Sequence, residues 1–128
     1  METITPVQAN KFGEKLFDLS MIRMMCRDDE EKVKKLVTVF IGQMPGSIEE
    51  IESAYQRRDF ATVKKIVHHI KPTLSYYAVV SLEKDILRIE DLAEEEMAGG
   101  ELELKIKKLS DVVNRIVMKM KNEFSITQ

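Results

Sequence analysis

Apolar residues recur at every third or fourth position along nearly the whole chain, and this spacing constrains the fold more than any other feature. The 3.6-residue period of an α-helix gathers such residues on one face, whereas a half-buried strand needs strict alternation. No convincing alternation extends over the length of a strand, and only five glycines and three prolines interrupt the 128 residues. The sequence therefore predicts an all-α fold.

Four long amphipathic segments carry this spacing, and a shorter one, Ser20–Cys26, precedes them. Their apolar stripes run from Val33 to Tyr55, from Phe60 to Tyr77, from Leu82 to Ala93 and from Leu102 to Met120. Amphipathic helices with short connections pack antiparallel around one core. We expect a single domain over residues 1–128, an antiparallel up-down four-helix bundle with a short extra N-terminal helix and an irregular segment over residues 1–15.

Capping residues and glycines mark the predicted helix boundaries. Asp29, Asp59 and Ser81 each stand just before an apolar stripe, where a side-chain oxygen can accept from the free amides of a helix start. Gly99–Gly100 breaks the helical pattern. The last helix is predicted from about Glu101 to about Phe124.

The second segment contains conflicting signals at Pro45. Its apolar stripe stays in phase across Pro45, which favours one long helix. Proline lacks a backbone donor, however, and Ser47 begins a capping-box pattern that favours a restart. We expect one helix axis with a kink or a brief break near Pro45.

Composition excludes several classes of protein. The formal net charge of −2 argues against a strongly basic nucleic-acid binder. The N-terminus lacks the pattern of a secretory signal, and the apolar runs are far shorter than a membrane span. With a single cysteine there is no internal disulfide, so a reducing, cytoplasmic location is expected. Cys26 and the eight methionines are expected to fill gaps in the core.

The only two histidines, His68 and His69, are adjacent on the third segment. Neighbours on a helix differ in direction by about 100°, so the pair cannot share a metal ion, and no metal site is expected. His68 lies well away from the apolar stripe, and Lys64, Lys71 and Ser75 share its solvent-facing quadrant. Lys64, Lys65 and Lys71 surround the histidine pair. The acidic residues that compensate their charge lie mostly elsewhere in the chain, in Asp28–Glu31 and Glu94–Glu96, which predicts a locally positive surface around the histidines.

An exposed imidazole flanked by lysines is suited to carrying a phosphoryl group. A neutral imidazole nitrogen is a nucleophile near pH 7. The lysines Lys64 and Lys71 would offset the added charge of about −1.5 to −2. A solvated surface histidine with no such role is the simpler alternative for His68.

The segment Val67–His68–His69–Ile70–Lys71–Pro72–Thr73 resembles the signature of the histidine-containing phosphotransfer (HPt) family, in which His-x-Leu-Lys-Gly is typical. Further similarities to the family lie in Leu16–Ser20, in Phe40–Ile51, in Arg58–Phe60 and in Leu87–Glu90. The resemblance covers most of the chain and agrees with the all-helical pattern.

This resemblance implies a role for each matching residue. His68 would accept the phosphoryl group, and Lys71 would contact that group or the partner. Glu90 stands where the family has an acidic or amide residue that bonds the other ring nitrogen, and it would fix the tautomer. The chain would be a phosphoprotein of two-component signal transduction, not an enzyme, because it has no nucleotide-binding loop.

The same resemblance implies the partners. These would be response-regulator receiver domains and a sensor or hybrid histidine kinase, with magnesium held by the receiver, no cofactor in this chain, no membrane and no nucleic acid. The carrier is expected to be a monomer. Contact is expected through an apolar patch that uses Ser20–Cys26 and the helix after Asp29, with Lys64 and Lys71 at its edge.

Two residues depart from the family pattern. Pro72 and Ala78 stand where glycine is usual, and Pro72 should kink the helix beside the site. This departure favours an alternative, a degenerate adaptor that binds receiver or kinase domains without carrying phosphate. A third interpretation is an unrelated four-helix bundle whose lysine-bearing final helix touches acidic partners.

Overall fold

The computed structural model describes residues 15–126, and all regular secondary structure in this range is helical. In chain order the elements are α1 (Ser20–Met25), α2 (Glu30–Gln56), α3 (Phe60–Tyr76), a 3₁₀ turn (Val80–Leu82), α4 (Glu83–Glu94) and α5 (Gly100–Phe124). The prediction of an all-α fold is confirmed. The segment predicted to be irregular, residues 1–15, lies outside the described residues except for Lys15.

Two of the three predicted N-caps are confirmed. The Asp29 carboxylate accepts from the Glu31 and Lys32 amides at 3.1 and 3.4 Å. Asp59 accepts from the Thr62 amide at 3.2 Å.

The predicted cap at Ser81 is wrong. Ser81 lies inside the 3₁₀ turn, and α4 begins only at Glu83, after Leu82, with no side-chain cap. Because the chain is already turning at Ser81, its hydroxyl does not stand at a helix start. The first turn of α4 instead contains two acidic residues, Glu83 and Asp85, whose charges interact favourably with the positive end of the helix dipole.

Helix α2 runs through Pro45 without interruption, so the predicted brief break is wrong, whereas the kink stays a prediction. Proline removes one backbone hydrogen bond. The side chains of Met44 and Ile48, on either side, are both buried on the stripe that faces the core. Burial of this continuous stripe stabilises one helix, and the capping-box pattern at Ser47 is not used.

The helices α2, α3 and α4 end in the same way, with a non-glycine residue in the left-handed region. These residues are Arg58, Ala78 and Glu96, at φ of 59°, 53° and 55°. After α3, the Val79 amide donates to the Leu74 carbonyl at 3.0 Å, which closes the helix end. The position of Ala78 is therefore one that a glycine would occupy with less strain.

Neighbouring helices bury one hydrophobic core. Contacts join α2 to α3, α3 to α4, α4 to α5 and α5 to α2, while α1 packs on α2. Cys26 is buried, as predicted. Between α4 and α5, the buried Asp85 carboxylate binds Lys105 and Lys108 at 2.8 and 2.7 Å. None of the helices within residues 15–126 is long and apolar enough to cross a membrane.

The prediction that the methionines fill the core is wrong for most of those in residues 15–126. Met44 and Met120 are buried, but five others are between 47% and 74% exposed: Met21, Met24, Met25, Met97 and Met118. Three of these lie on α1, a helix of six residues that buries only Ile22. A helix this short has one inward position, so its other apolar side chains face outward.

Candidate functional site

His68 lies on α3, outside the stripe that the helix buries. That stripe consists of Val63, Val67, Ile70 and Leu74. The His68 side chain is 69% exposed, and its Nδ1 atom lies 2.9 Å from a carboxylate oxygen of Glu90 on α4. The ring therefore has one nitrogen held by the protein and an otherwise accessible surface.

The Glu90 carboxylate determines which ring nitrogen carries the proton. Only 13% of its side chain is exposed. Burial raises the pKa of Glu90, but the hydrogen bonds from Lys71 and His68 outweigh burial, and the net pKa is below its ordinary value. An ionised carboxylate can only accept, so the proton lies on Nδ1 of a neutral His68 ring. Nε2 then holds the free lone pair, and it has no hydrogen-bond partner among residues 15–126.

Lys71 binds the same carboxylate from one turn further along α3. Its Nζ atom lies 2.9 Å from the second oxygen of Glu90. One buried glutamate thus joins the histidine and the lysine. This contact accounts for the position of Lys71, which is turned toward α4.

Lys64, one turn before His68, is also turned toward α4 and pairs with Glu94. The hydrogen bond and the charge of Glu94, followed by the more distant charge of Glu90, raise the pKa of Lys64. The structure thus brings all four predicted site residues, Lys64, His68, Lys71 and Glu90, to the line where α3 meets α4.

We predicted a locally positive surface around His68, and this is wrong where Lys64 and Lys71 are concerned. Both are paired with glutamates of α4, so Glu94 belongs to the neighbourhood and is not distant from it. The pairing of Glu94 with Lys64 could have been inferred from the sequence. In antiparallel helices that bring His68 to Glu90, the residue four before His68 faces the residue four after Glu90.

An apolar cleft of about 250 Å³ opens between α1, α2 and α3, on a side of α3 that does not face α4. We call it the α1–α3 cleft. Exposed apolar side chains of all three helices line it: Met25, Leu36, Val39 and Tyr76. His69 also lines the cleft, whereas His68 does not. Lys64 and Lys71 turn toward α4 and do not line this cleft, and their place at the edge of a partner contact stays a prediction.

Helix α3 continues past Pro72 to Tyr76. Proline at this position cannot donate to the carbonyl of His68, which is four residues earlier. The two adjacent tyrosines that follow have different surroundings. Tyr77 is buried and donates to the Leu36 carbonyl at 3.0 Å, while Tyr76 is exposed at the cleft.

Comparison with family models, with curated proteins and with solved structures finds no match to this chain. Among residues 15–126, no group of three or more histidine, cysteine or acidic side chains lies close enough to hold a metal ion. A function is therefore inferred from the arrangement of His68, Glu90 and the two lysines.

Proposed function

We propose that this chain is a phosphorelay carrier of the HPt type, an antiparallel four-helix bundle in which His68 accepts and donates a phosphoryl group. The observation that supports this most strongly is the exposed imidazole whose Nδ1 atom lies 2.9 Å from the buried Glu90 carboxylate. A merely solvated histidine has no need of a buried, ionised partner on the neighbouring helix.

The chemistry follows from the tautomer. The Nε2 lone pair of His68 attacks the phosphorus of an aspartyl phosphate on a receiver domain, and the bond between phosphorus and the acyl oxygen breaks. Its electron pair remains on the aspartate, which leaves as a carboxylate. The ring, still protonated on Nδ1, becomes positively charged, and the adjacent Glu90 carboxylate stabilises that charge.

The reverse reaction returns the phosphoryl group to the aspartate of a second receiver, a response regulator. Nothing in this step requires a nucleotide, so the chain acts as a carrier and not as a kinase. The partner receiver supplies magnesium in its acidic pocket. A histidine kinase, of the sensor or hybrid type, would stand upstream.

Partners would dock on the α1–α3 cleft. It presents the exposed side chains of Met25, Leu36, Val39 and Tyr76, which together form an apolar contact area. The cleft includes His69, which directly follows the proposed acceptor. Weak, transient association suits a carrier that exchanges partners, and a cytoplasmic monomer leaves this surface open.

A second candidate is a degenerate adaptor that binds receiver or kinase domains without accepting phosphate. It is favoured by one observation: neither His68 nor the two lysines at the α4 side line the α1–α3 cleft. Docking on the cleft therefore does not require chemistry at His68. Pro72, in place of the usual glycine, is compatible with this function.

The test is a transfer assay with a radiolabelled receiver domain, in which the wild type is compared with His68→Gln and with His69→Gln. We expect label on the wild type and on His69→Gln but not on His68→Gln. Equal label on both variants would refute His68 as the acceptor. Receiver binding without label on any of the three chains would select the adaptor.

A further inference from the structure

The geometry points to Glu94 as a residue that holds Lys64 away from the phosphoryl group and so keeps the phosphorylated carrier a ready donor. This inference rests on the proposed function. It concerns a residue that takes no part in the transfer itself and acts only through Lys64.

Two lysines stand within reach of the proposed acceptor. Lys64 lies four residues before His68 and Lys71 lies three residues after it, so both share its side of α3. A phosphoryl group on Nε2 would be the strongest anion in their neighbourhood. Each lysine already has a carboxylate partner, however, and must leave it or share it in order to bind the phosphoryl group.

The charges at this line of contact cancel before phosphorylation. Lys64 and Lys71 contribute two positive charges, and Glu90 and Glu94 contribute two negative ones. Phosphorylation places a charge of about −1.5 to −2 on the phosphoryl oxygens, by analogy with other phosphorylated side chains, and leaves one positive charge on the ring, so the site gains a net charge of about −0.5 to −1. The phosphorylated form therefore carries charge that the site does not compensate, and this excess favours transfer to a receiver.

Glu94 is the partner that can be altered without loss of the acceptor geometry. Its side chain is 63% exposed and its one ion pair in the described part of the chain is with Lys64. Glu90 is 13% exposed and binds both His68 and Lys71. Replacement of Glu94 frees Lys64 and leaves the hydrogen bond at Nδ1 in place.

The experiment measures the equilibrium of phosphoryl transfer between a receiver and the carrier, and the hydrolysis rate of the phosphorylated carrier. We expect Glu94→Gln to shift the equilibrium toward the phosphorylated carrier by about two- to five-fold, within the range that an exposed ion pair supports. Hydrolysis should slow in the same variant. Glu95→Gln is the matched control, because it removes the same charge from the residue that directly follows α4, which forms no ion pair with Lys64.

A double-variant cycle identifies the cause. If released Lys64 binds the phosphoryl group, the gain from Glu94→Gln should disappear in a Lys64→Gln background. A gain that persists there, or one equal to that of Glu95→Gln, would overturn the role of Glu94. A wild-type chain that takes no label would instead refute the proposed function, so the two failures are distinguishable.

Discussion

The Nδ1 atom of His68 donates to the Glu90 carboxylate over 2.9 Å, across the line where α3 meets α4. This one contact combines an exposed reactive ring with a buried acceptor. It fixes the ring orientation and places the free lone pair on Nε2. The site therefore depends on the register between two helices as much as on the histidine itself.

Removal of the Glu90 carboxylate should impair the acceptor without unfolding the chain. We expect Glu90→Ala to slow phosphorylation of His68 by about ten-fold or more, the lower end of what loss of a ring-orienting partner costs at metal-bound histidines. The rate is measured with a labelled receiver in excess. Glu83→Ala, at the first position of α4 and without an ion pair among residues 15–126, is the control and should leave the rate unchanged. Equal rates for the wild type and Glu90→Ala would contradict the orienting role.

A charge placed in the α1–α3 cleft should weaken receiver docking. Val39 is half exposed on α2 and lines the cleft. We expect Val39→Lys to raise the dissociation constant of the receiver complex by about ten-fold, equivalent to about 1.4 kcal/mol. Titration calorimetry measures this constant. Met118→Lys introduces the same charge at an exposed methionine of α5 outside the cleft. Similar weakening by both variants would indicate a general charge effect and no docking at the cleft.

Much of the fold was accessible from the sequence because apolar spacing and caps are local signals. The stripes located all four long helices, and Asp29 and Asp59 form the predicted caps. Of the two alternatives at Pro45, a kink or a brief break in one helix, the break was wrong, because burial of the apolar stripe on both sides outweighed the local effect of proline. The 3₁₀ turn that displaced the start of α4 from Ser81 has no comparable local signal.

The site was only partly accessible, because pairing between helices is not a local property. The wheel placed Lys64 and Lys71 beside His68, but their carboxylate partners lie on another helix. Counting charge along the chain assigned Glu94 to a distant acidic cluster. The exposed methionines of α1 were misjudged for a similar reason, since apolar spacing along a segment does not show how many faces of the helix are covered by other helices.

Replacement of Ala78 tests whether a non-glycine residue in the left-handed region at a helix end is strained. At φ of 53° an alanine is strained and a glycine is not. We expect Ala78→Gly to raise the free energy of unfolding by about 1 kcal/mol. Ala54→Gly, inside α2, should lower it by about 1 kcal/mol or more. Denaturant unfolding compares the two. Destabilisation by Ala78→Gly would contradict the strain at this residue.

The buried Asp85 carboxyl group makes the stability of the fold depend on pH. Burial raises its pKa, but the hydrogen bonds from Lys105 and Lys108 outweigh burial and lower the net pKa from the ordinary 3.8. A carboxyl group whose pKa is lowered by folding stabilises the fold above its unfolded pKa. That stabilisation is lost as the pH falls through the folded pKa.

We expect Asp85→Asn to lower the free energy of unfolding at pH 7 by about 1–2 kcal/mol, since two charged donors lose an ionised acceptor. The difference in the free energy of unfolding between this variant and the wild type should shrink as the pH falls below about 4. Denaturant unfolding between pH 7 and pH 3 measures it. Asp111→Asn, at an exposed position of α5, should change the free energy by less than about 0.5 kcal/mol. A gap that does not vary with pH would contradict the depressed pKa of Asp85.

The most direct test of the central claim is the chemical identity of the phosphorylated residue. The chain is incubated with a phosphorylated receiver domain and examined by phosphorus-31 NMR and by mass spectrometry of its peptides. We predict one acid-labile phosphoryl group, bonded to Nε2 of His68 and absent from His68→Gln. A phosphoryl group on His69, on another residue or on Nδ1 of His68, or none with an active receiver, would contradict it.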